Sequence, residues 1–218
     1  MNSKRLQFLS EHFRSQGFLH AAKISFRRIF FPSRCYKILF ALDEPKPNEN
    51  AVITSANHVF RFATVDELKM FSKVKDFDIH DFDIERVERG SARCMLQLDK
   101  ENLVGYSWIW RNNLAHIDDG FHINLPNDTI YNFKGYTSPE YRGDGFQALR
   151  HLKLLENLKD SGVNRLFGFV DQYNLRSLNG VKKSGYKRVG EMVIDRGSED
   201  VRMSLHLKNY FWSREART

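Results

Sequence analysis

Residues 138–155 read SPEYRGDGFQALRHLKLL and place an arginine and two glycines directly before a leucine-rich helix. The first N–H groups of a helix have no acceptor within the helix, and the helix dipole adds partial positive charge at the same end. Gly143 and Gly145 allow the backbone to approach a ligand closely, and Arg142 adds a full positive charge. The stretch therefore predicts a loop that binds phosphate or diphosphate, with a plain flexible turn as the alternative.

The segments after this loop alternate between helix and strand. The helix is predicted to run to about Asp160 and to end at Gly162. Its apolar face is formed by Ala148, Leu149, Leu152 and Leu155. We then expect a buried strand over residues 164–170, a short helix over 174–185 and one or two closing strands.

Upstream of the loop the sequence predicts more strands. VFRFA (59–63) alternates like a strand, and Thr64 with Glu67 forms the capping box of a following helix. A second helix is expected within residues 77–90. Three further strands are expected at ARCMLQL (92–98), NLVGYSWIW (102–110) and TIYNFKGYTS (129–138), with a less regular segment at 116–128. This order predicts a mixed α/β sheet, and the aromatic run Tyr106, Trp108 and Trp110 is interpreted as sheet core rather than as a substrate platform.

The composition is typical of a soluble globular protein: 218 residues, 41% hydrophobic and 28% charged. No apolar run approaches the ~18 residues that a membrane-spanning helix requires. The first residues lack the apolar stretch and cleavage site of a secretory signal. Cys35 and Cys94 show neither metal-ligand spacing nor a disulfide framework, so we expect reduced thiols, a cytoplasmic protein and no metal.

The net charge of +7 lies entirely in the first part of the chain. Residues 1–37 hold eight basic residues against the single acid Glu11, so the rest of the chain is neutral. A nucleic-acid-binding surface would spread its charge over the body, so no nucleic acid is expected. Residues 1–34 are predicted to form an amphipathic helix that packs on the body or forms a dimer contact, and an anionic membrane surface is the less favoured partner.

The predicted domain boundary lies at residue 50. YKILFAL (36–42) is a short strand candidate, and DEPKPNEN (43–50) is a linker or exposed turn, because it has two prolines and no apolar residue. Residues 1–50 are therefore assigned to a basic helical extension with a short strand and linker, and residues 51–218 to the main domain.

Roughly residues 58–208 resemble the GNAT superfamily of acyl-CoA-dependent N-acyltransferases. Four segments in the family's order carry the resemblance: FRFATVDEL, LVGYSWI, YTSPEYRGDG and NLRSLNGVKKSGYKRVG. The resemblance implies an α/β (α+β) fold with a mixed, mostly antiparallel twisted sheet flanked by helices. It also implies acetyl-CoA as co-substrate and the primary amine of a small acceptor, an amino sugar or an amino acid, as its partner.

In the family the loop reads Arg/Gln-x-x-Gly-x-Gly/Ala, and its amides hold the pyrophosphate of coenzyme A. Arg142 and Gly145 match this pattern, whereas Gln147 departs from it. The resemblance also implies that the strand ending at Tyr136 splays from strand 164–170 and leaves a gap for the pantetheine arm. Asn174 contacts this arm, caps its own helix, or does both. The cofactor-binding residues implied are Tyr136, Thr137, Ser138, Arg142, Gly143, Asp144, Gly145, Phe146, Gln147, Asn174 and Ser177.

The catalytic residues are less defined than the cofactor loop. Seven residues after this asparagine, many relatives carry a tyrosine that protonates the leaving thiolate. This chain has Val181 at that position. Candidates for the base that accepts a proton from the amine are Asp128, His122, Tyr131 and Asp119. A longer acyl donor, and a non-catalytic module that binds an acyl-CoA or a partner, are the alternatives to an N-acetyltransferase.

Overall fold

The computed structural model describes residues 34–118, 121–195, 200–205 and 211–214. The helix predicted over residues 1–34 lies outside this part of the chain except for its last residue, as does the candidate base Asp119. Five helices lie in the described ranges: α1 (Glu49–Thr54), α2 (Val65–Phe71), α3 (Asp81–Glu88), α4 (Phe146–Leu158) and α5 (Leu175–Lys183).

Eleven strands accompany these helices in the same ranges. They are β1 (Arg34–Leu42), β2 (His58–Phe62), β3 (Ala92–Asp99), β4 (Asn102–Trp110), β5 (Leu114–Asp118), β6 (Phe121–Asn124), β7 (Thr129–Thr137), β8 (Arg165–Asp171), β9 (Lys187–Asp195), β10 (Asp200–Leu205) and β11 (Phe211–Arg214). The segment 116–128, predicted to be less regular, thus contains the end of β5 and all of β6.

Eight strands form one sheet in the order β10-β9-β1-β8-β7-β4-β3-β2, and β11, β6 and β5 form a second, smaller sheet. Every neighbouring pair of the large sheet is antiparallel except β7 and β8, which are parallel. The predicted fold class, a mixed and mostly antiparallel sheet flanked by helices, is therefore confirmed.

Strand β1 is an inner strand of this sheet. It pairs with β8 through Ile38↔Val170 and with β9 through Ile38↔Glu191, and its Leu39 and Leu42 are fully buried. Residues 36–42, predicted to be part of the N-terminal extension, lie in the same sheet as the strands of residues 51–218. Local pattern could not predict this position, because both partner strands lie more than a hundred residues further along the chain.

The capping box predicted at the start of α2 is present. The Glu67 N–H donates to Thr64 Oγ1 at 3.3 Å, and the Thr64 N–H donates to Glu67 Oε2 at 2.9 Å. Glu67 also accepts both guanidinium hydrogen bonds of Arg61. This partner and the capping bonds hold the pKa of the Glu67 carboxyl at about 2, below its ordinary value of 4.5.

Replacing Glu67 with glutamine should therefore cost about 1 kcal/mol of stability at pH 7, since the pair is partly exposed and screened by solvent. Glutamine still completes the capping box, so the loss of stability measures the contribution of the ion pair between Arg61 and Glu67. A depressed carboxyl pKa stabilises the fold above about pH 4.5, and this contribution disappears as the pH falls towards 2. Urea unfolding at pH 7 and pH 3 measures the difference, with Asp66→Asn in the same helical turn as control. If the free energy of unfolding differed between Glu67→Gln and wild type by the same amount at pH 7 and pH 3, the low pKa assigned to Glu67 would be wrong.

The core lies on both faces of the sheet. Tyr106 and Trp108 are fully buried among the helices α2 and α3, so the aromatic run is sheet core, as predicted. On helix α4 the buried face includes Ala148, Leu149 and Leu155 as expected, but Arg150 and His151 are also buried. These two polar side chains were not predicted to face the interior, since Arg is almost never fully buried unless paired.

Candidate functional site

Strands β7 and β8 part at the middle of the sheet. They pair from Thr129↔Arg165 to Tyr131↔Phe167, after which β7 keeps its partner β4 as far as Gly105↔Thr137. Beyond Tyr131 one edge of β7 therefore faces a gap, and helix α4 begins beyond the open end of this gap. The splay implied by the family resemblance is thus present.

A cleft of about 870 Å³ lies at this open end. Nine of the predicted cofactor-binding residues line it and come from three separate segments of the chain: Tyr136, Thr137, Arg142, Gly143, Gly145, Phe146, Gln147, Asn174 and Ser177. The structure thus brings together the end of β7, the glycine loop and the start of α5. Ser138 and Asp144 are not among the residues that line the cleft.

The glycine loop has the backbone conformation that only glycine adopts easily. Gly143 has a φ of 105° and Gly145 a φ of 84°, both in the left-handed region. Gly145 is the N-cap residue of α4, and no side chain of the described residues caps this helix. The first N–H groups of α4 are therefore available to an anion, and a Cβ on Gly143 would have no described protein atom within 4 Å.

Arg142 lies across the end of β7. Its Nε donates to the carbonyl oxygen of Thr137 at 2.8 Å, and its guanidinium lies 5.9 Å from the centre of the Tyr136 ring. The side chain remains exposed at the mouth of the cleft. This arrangement keeps a full positive charge beside the loop amides.

The charges around the cleft have a single sign. Five cationic side chains line it, namely Lys46, Arg142, Arg150, Arg176 and Lys183, and no carboxylate of the described residues does. Because low-dielectric walls focus the field of such a cluster, the cleft attracts anions. A ligand with several phosphate groups suits this site.

The segment 43–50 forms one wall of the cleft, although its composition predicts a linker or exposed turn. The Lys46 N–H donates to the carbonyl oxygen of Ser184 at 3.2 Å, which ties the segment to the end of α5. The Asn48 side chain caps α1 by accepting from the Ala51 N–H, and it lies 2.9 Å from the place where a Cβ of Gly145 would stand. Lys46 is thus a site residue that sequence reasoning missed.

Two predicted cofactor residues have defined structural roles. Asn174 Oδ1 accepts from the Ser177 N–H at 3.0 Å, so this side chain caps α5 while also lining the cleft. Ser138 is buried, and its Oγ donates to the carbonyl oxygen of Leu103 at 2.7 Å. The Ser138 side chain therefore fastens the end of β7 to β4, whereas Asp144 is exposed.

The predicted catalytic residues lie near the opposite end of β7. Asp128 directly precedes the strand, roughly 30 Å from Thr137 along an extended chain, and accepts from Thr129 Oγ1 at 2.9 Å. Tyr131 is buried, and its hydroxyl donates to the carbonyl oxygen of His116 at 3.0 Å. Burial raises the pKa of Tyr131, so this hydroxyl stays protonated and is a poor base. His122 is buried on β6 with its ring 6.0 Å from that of His116. None of the three lines the cleft, and their catalytic roles stay predictions.

Two acidic residues in or beside α3, Asp78 and Asp83, are paired with a lysine of β7. Lys134, in the middle of β7, donates to Asp83 Oδ2 at 2.8 Å and lies 3.4 Å from Asp78 Oδ2. Asp83 is 1% exposed. These contacts hold α3 against β7, and the buried Asp83 carboxylate has its counter-ion in Lys134.

Val181 is buried beside Leu178 and Tyr186 in the main core cluster, which is consistent with a purely apolar role. Among the described residues, no three histidine, cysteine or acidic side chains are grouped so that they could hold a metal ion. Within the same residues, none of the helices has the length and apolar character that crossing a membrane requires. Neither Cys35 nor Cys94 forms a disulfide bond with another cysteine of the described residues.

No protein-family model matches the sequence, and no curated protein matches it. Solved structures do match. An aminoglycoside N-acetyltransferase in complex with CoA is similar at 11% sequence identity and a TM-score of 0.48, over 60% of this chain and 88% of its own. A GCN5-related N-acetyltransferase-like protein from Streptococcus suis is similar at 12% identity and a TM-score of 0.45, over 88% of this chain and 68% of its own. A ribosomal-protein-alanine N-acetyltransferase from Brucella melitensis is similar at 13% identity and a TM-score of 0.43, over 58% of this chain and 89% of its own.

Both the fold and the activity of this chain are therefore argued from its own structure. Three structural features agree with the expectations set by the GNAT resemblance: the mostly antiparallel sheet, the parting of β7 from β8, and the glycine loop that opens α4. The described part of the chain therefore has the mixed, mostly antiparallel α/β fold that its sequence predicted.

Proposed function

We propose that this protein is an N-acetyltransferase that transfers the acetyl group of acetyl-CoA to the primary amine of a small acceptor, of the amino sugar or amino acid class. The observation that carries the proposal is the cleft at the parting of β7 and β8. Five cations and no carboxylate of the described residues line it, and the uncapped start of α4 opens into it. Coenzyme A carries phosphate groups at one end and an extended thiol arm at the other. The cationic cleft suits the phosphate groups, and the edge of β7 that faces the gap suits the arm.

The glycine loop binds the diphosphate of the co-substrate in this proposal. Backbone N–H groups at the start of α4 donate to the phosphate oxygens, and Arg142 adds a charge-assisted contact at the mouth. The pantetheine arm lies along the edge of β7 that faces the gap, where Gly135 and Tyr136 line the cleft. Main-chain groups on this edge act as hydrogen-bond partners for the amides of the arm, as in the addition of a strand to a sheet edge.

The reaction is direct attack in a ternary complex. The amine nitrogen forms a bond to the thioester carbonyl carbon, the C–S bond breaks, and the sulfur leaves with the bonding electrons. A base accepts the proton that the amine loses, with Asp128 and His122 as candidates predicted from sequence. Tyr131, the third candidate, is the weakest of them because burial raises its pKa and keeps its hydroxyl protonated. Val181 supplies no proton to the sulfur, and a thiol pKa near 8.5 makes the thiolate a tolerable leaving group without an acid.

The test is a coupled assay on the full chain. Acetyl-CoA is incubated with a panel of amino sugars, amino acids and polyamines, and a thiol reagent detects the coenzyme A released. We expect release above background hydrolysis with at least one amine, together with an acetylated product seen by mass spectrometry. Failure of acetyl-CoA to bind in calorimetry would overturn the proposal at its first step.

A second candidate function is a non-catalytic module that binds an acyl-CoA, and buried Val181 at the position of the usual tyrosine favours it. The same assay separates the two, because a module binds acetyl-CoA but releases no coenzyme A with any amine. Acyl-CoA donors of increasing chain length belong in the panel, since a longer acyl group is the remaining alternative within the enzyme class.

A further inference from the structure

Arg150 is a charged side chain in the interior of the protein. It lies on α4 and is 0% exposed. Its guanidinium donates four hydrogen bonds, to Ser107 Oγ at 3.1 Å, Gln97 Oε1 at 3.0 Å, the Tyr136 carbonyl oxygen at 2.9 Å and Thr137 Oγ1 at 3.2 Å. All four acceptors are neutral, and no carboxylate of the described residues is paired with Arg150.

A buried cation without an anion is costly, because its hydration is lost and only neutral dipoles replace it. Burial lowers the pKa of Arg150 to about 10, which still leaves the side chain charged at neutral pH. Methionine or leucine would fill the same volume without this cost. The charge therefore needs an explanation other than packing.

The position of Arg150 supplies that explanation. Two of its four acceptors belong to Tyr136 and Thr137, which end β7 and line the cleft, and Arg150 itself is among the lining residues. Arg142 binds the other side of the same strand end through the Thr137 carbonyl oxygen. An anion in the cleft is thus close to a positive charge that water does not screen.

We propose that Arg150 is a positioning residue of the cleft and the buried counter-charge of the diphosphate bound there. Its hydrogen bonds fix the end of β7, and its uncompensated charge favours an anionic ligand over an empty cleft. The inference rests on the proposed function, because it takes the diphosphate of coenzyme A as the anion.

Replacing Gln97 with glutamate tests the charge without removing the arginine. The two side chains have nearly the same shape, and the new carboxylate would stand where the amide oxygen now lies, 3.0 Å from Arg150 Nη1. The contact from Gln97 to His58 Nδ1 survives, since that ring nitrogen can carry the proton itself. The substitution therefore neutralises the buried charge and leaves the hydrogen bonds to β7 in place.

We expect Gln97→Glu to weaken binding of coenzyme A by about tenfold, the effect of one unit charge lost at short range in a partly buried site. Binding of pantetheine, which carries no phosphate, should not change. The loss of affinity for coenzyme A in Gln97→Glu should persist at 0.5 M salt. The loss of affinity caused by Arg142→Gln should become smaller at this salt concentration, because Arg142 is exposed to screening ions. Inorganic diphosphate is titrated in parallel as the smallest probe of the anion site.

Ser107→Asp is the second variant, should Gln97→Glu fail to fold, and Ser107→Asn is its uncharged control. Ser107 Oγ accepts from Arg150 Nε, so an aspartate there neutralises the same charge from the neighbouring strand. Equal affinities of wild type and folded carboxylate variants for coenzyme A would overturn the inference and leave the proposed function standing. If coenzyme A fails to bind but diphosphate binds more weakly to the variants than to wild type, Arg150 is the counter-charge of an anion site and the proposed function is overturned. Wild-type protein that binds neither ligand overturns both.

Discussion

Replacing Gly143 with valine should lower the affinity for acetyl-CoA by roughly 100-fold, which corresponds to about 2.7 kcal/mol of binding free energy. A Cβ on Gly143 would meet no described protein atom within 4 Å, because it would stand in the open space of the cleft mouth. The valine side chain would therefore occupy the volume where the loop amides meet the phosphates. Calorimetric titration with acetyl-CoA and the shift in melting temperature that it causes measure the loss.

The control for this variant is Gly162→Val. Gly162 has a φ of 76°, follows helix α4 at its other end, and also has no described protein atom within 4 Å of an added Cβ. Both variants bear the strain of a β-branched residue at positive φ, about 1–3 kcal/mol of stability each. They differ in that Gly143 lines the cleft and Gly162 does not. Unchanged acetyl-CoA binding in Gly143→Val, or an equal loss in Gly162→Val, would remove the glycine loop from the binding site.

Replacing Gly105 with alanine should destabilise the protein by about 4 kcal/mol, in the range of severe core changes. Gly105 lies on β4 directly beneath the Arg150 guanidinium, and an added Cβ would stand 2.6 Å from Arg150 Nη1 and overlap the Tyr136 carbonyl oxygen. One methyl group thus displaces a buried cation and separates it from its acceptors on β7. Since a buried polar group that loses its partners costs more than the packing alone, the effect exceeds that of an ordinary overpacked alanine.

Gly135→Ala is the matched control, because Gly135 lies on the neighbouring strand β7. An added Cβ there has its nearest described contact, the Tyr106 carbonyl oxygen, at an ordinary 3.8 Å. Chemical denaturation of both variants gives the comparison. A loss below 1 kcal/mol in Gly105→Ala would show that Arg150 moves easily, and its role as a fixed positioning residue would then be wrong.

The glycine loop was predictable because its signals are local. The left-handed conformations at Gly143 and Gly145, and the free N–H groups of the helix that follows, depend on a few consecutive residues. The capping box at Thr64 and the consecutive strands β3 and β4 were predictable for the same reason. Each of these features needs little information from the rest of the chain.

By contrast, nothing in the sequence indicated that Arg150 is buried or that segment 43–50 forms a wall of the cleft. An arginine in a helix is normally exposed, and only the sheet beneath α4 supplies the three side chains and the carbonyl that accept its hydrogen bonds. Segment 43–50 reads as a linker, and its place beside the cleft follows from the strand that precedes it.

The sequence by itself determined the order of most helices and strands after residue 58, the loop that opens α4 and the resemblance to the GNAT superfamily. It did not predict α1, β5, β6 or β11. Only the tertiary structure decided that β1 is inserted between β8 and β9, that Lys46 reaches the cleft, and that Arg150 is buried without a carboxylate. The physical reason is the range of the interactions. Backbone conformation and capping are set by neighbours in the chain. Strand order and burial are set by contacts between residues far apart in the chain, more than a hundred positions for β1 and its partner strands and 13 to 53 positions for Arg150 and its acceptors.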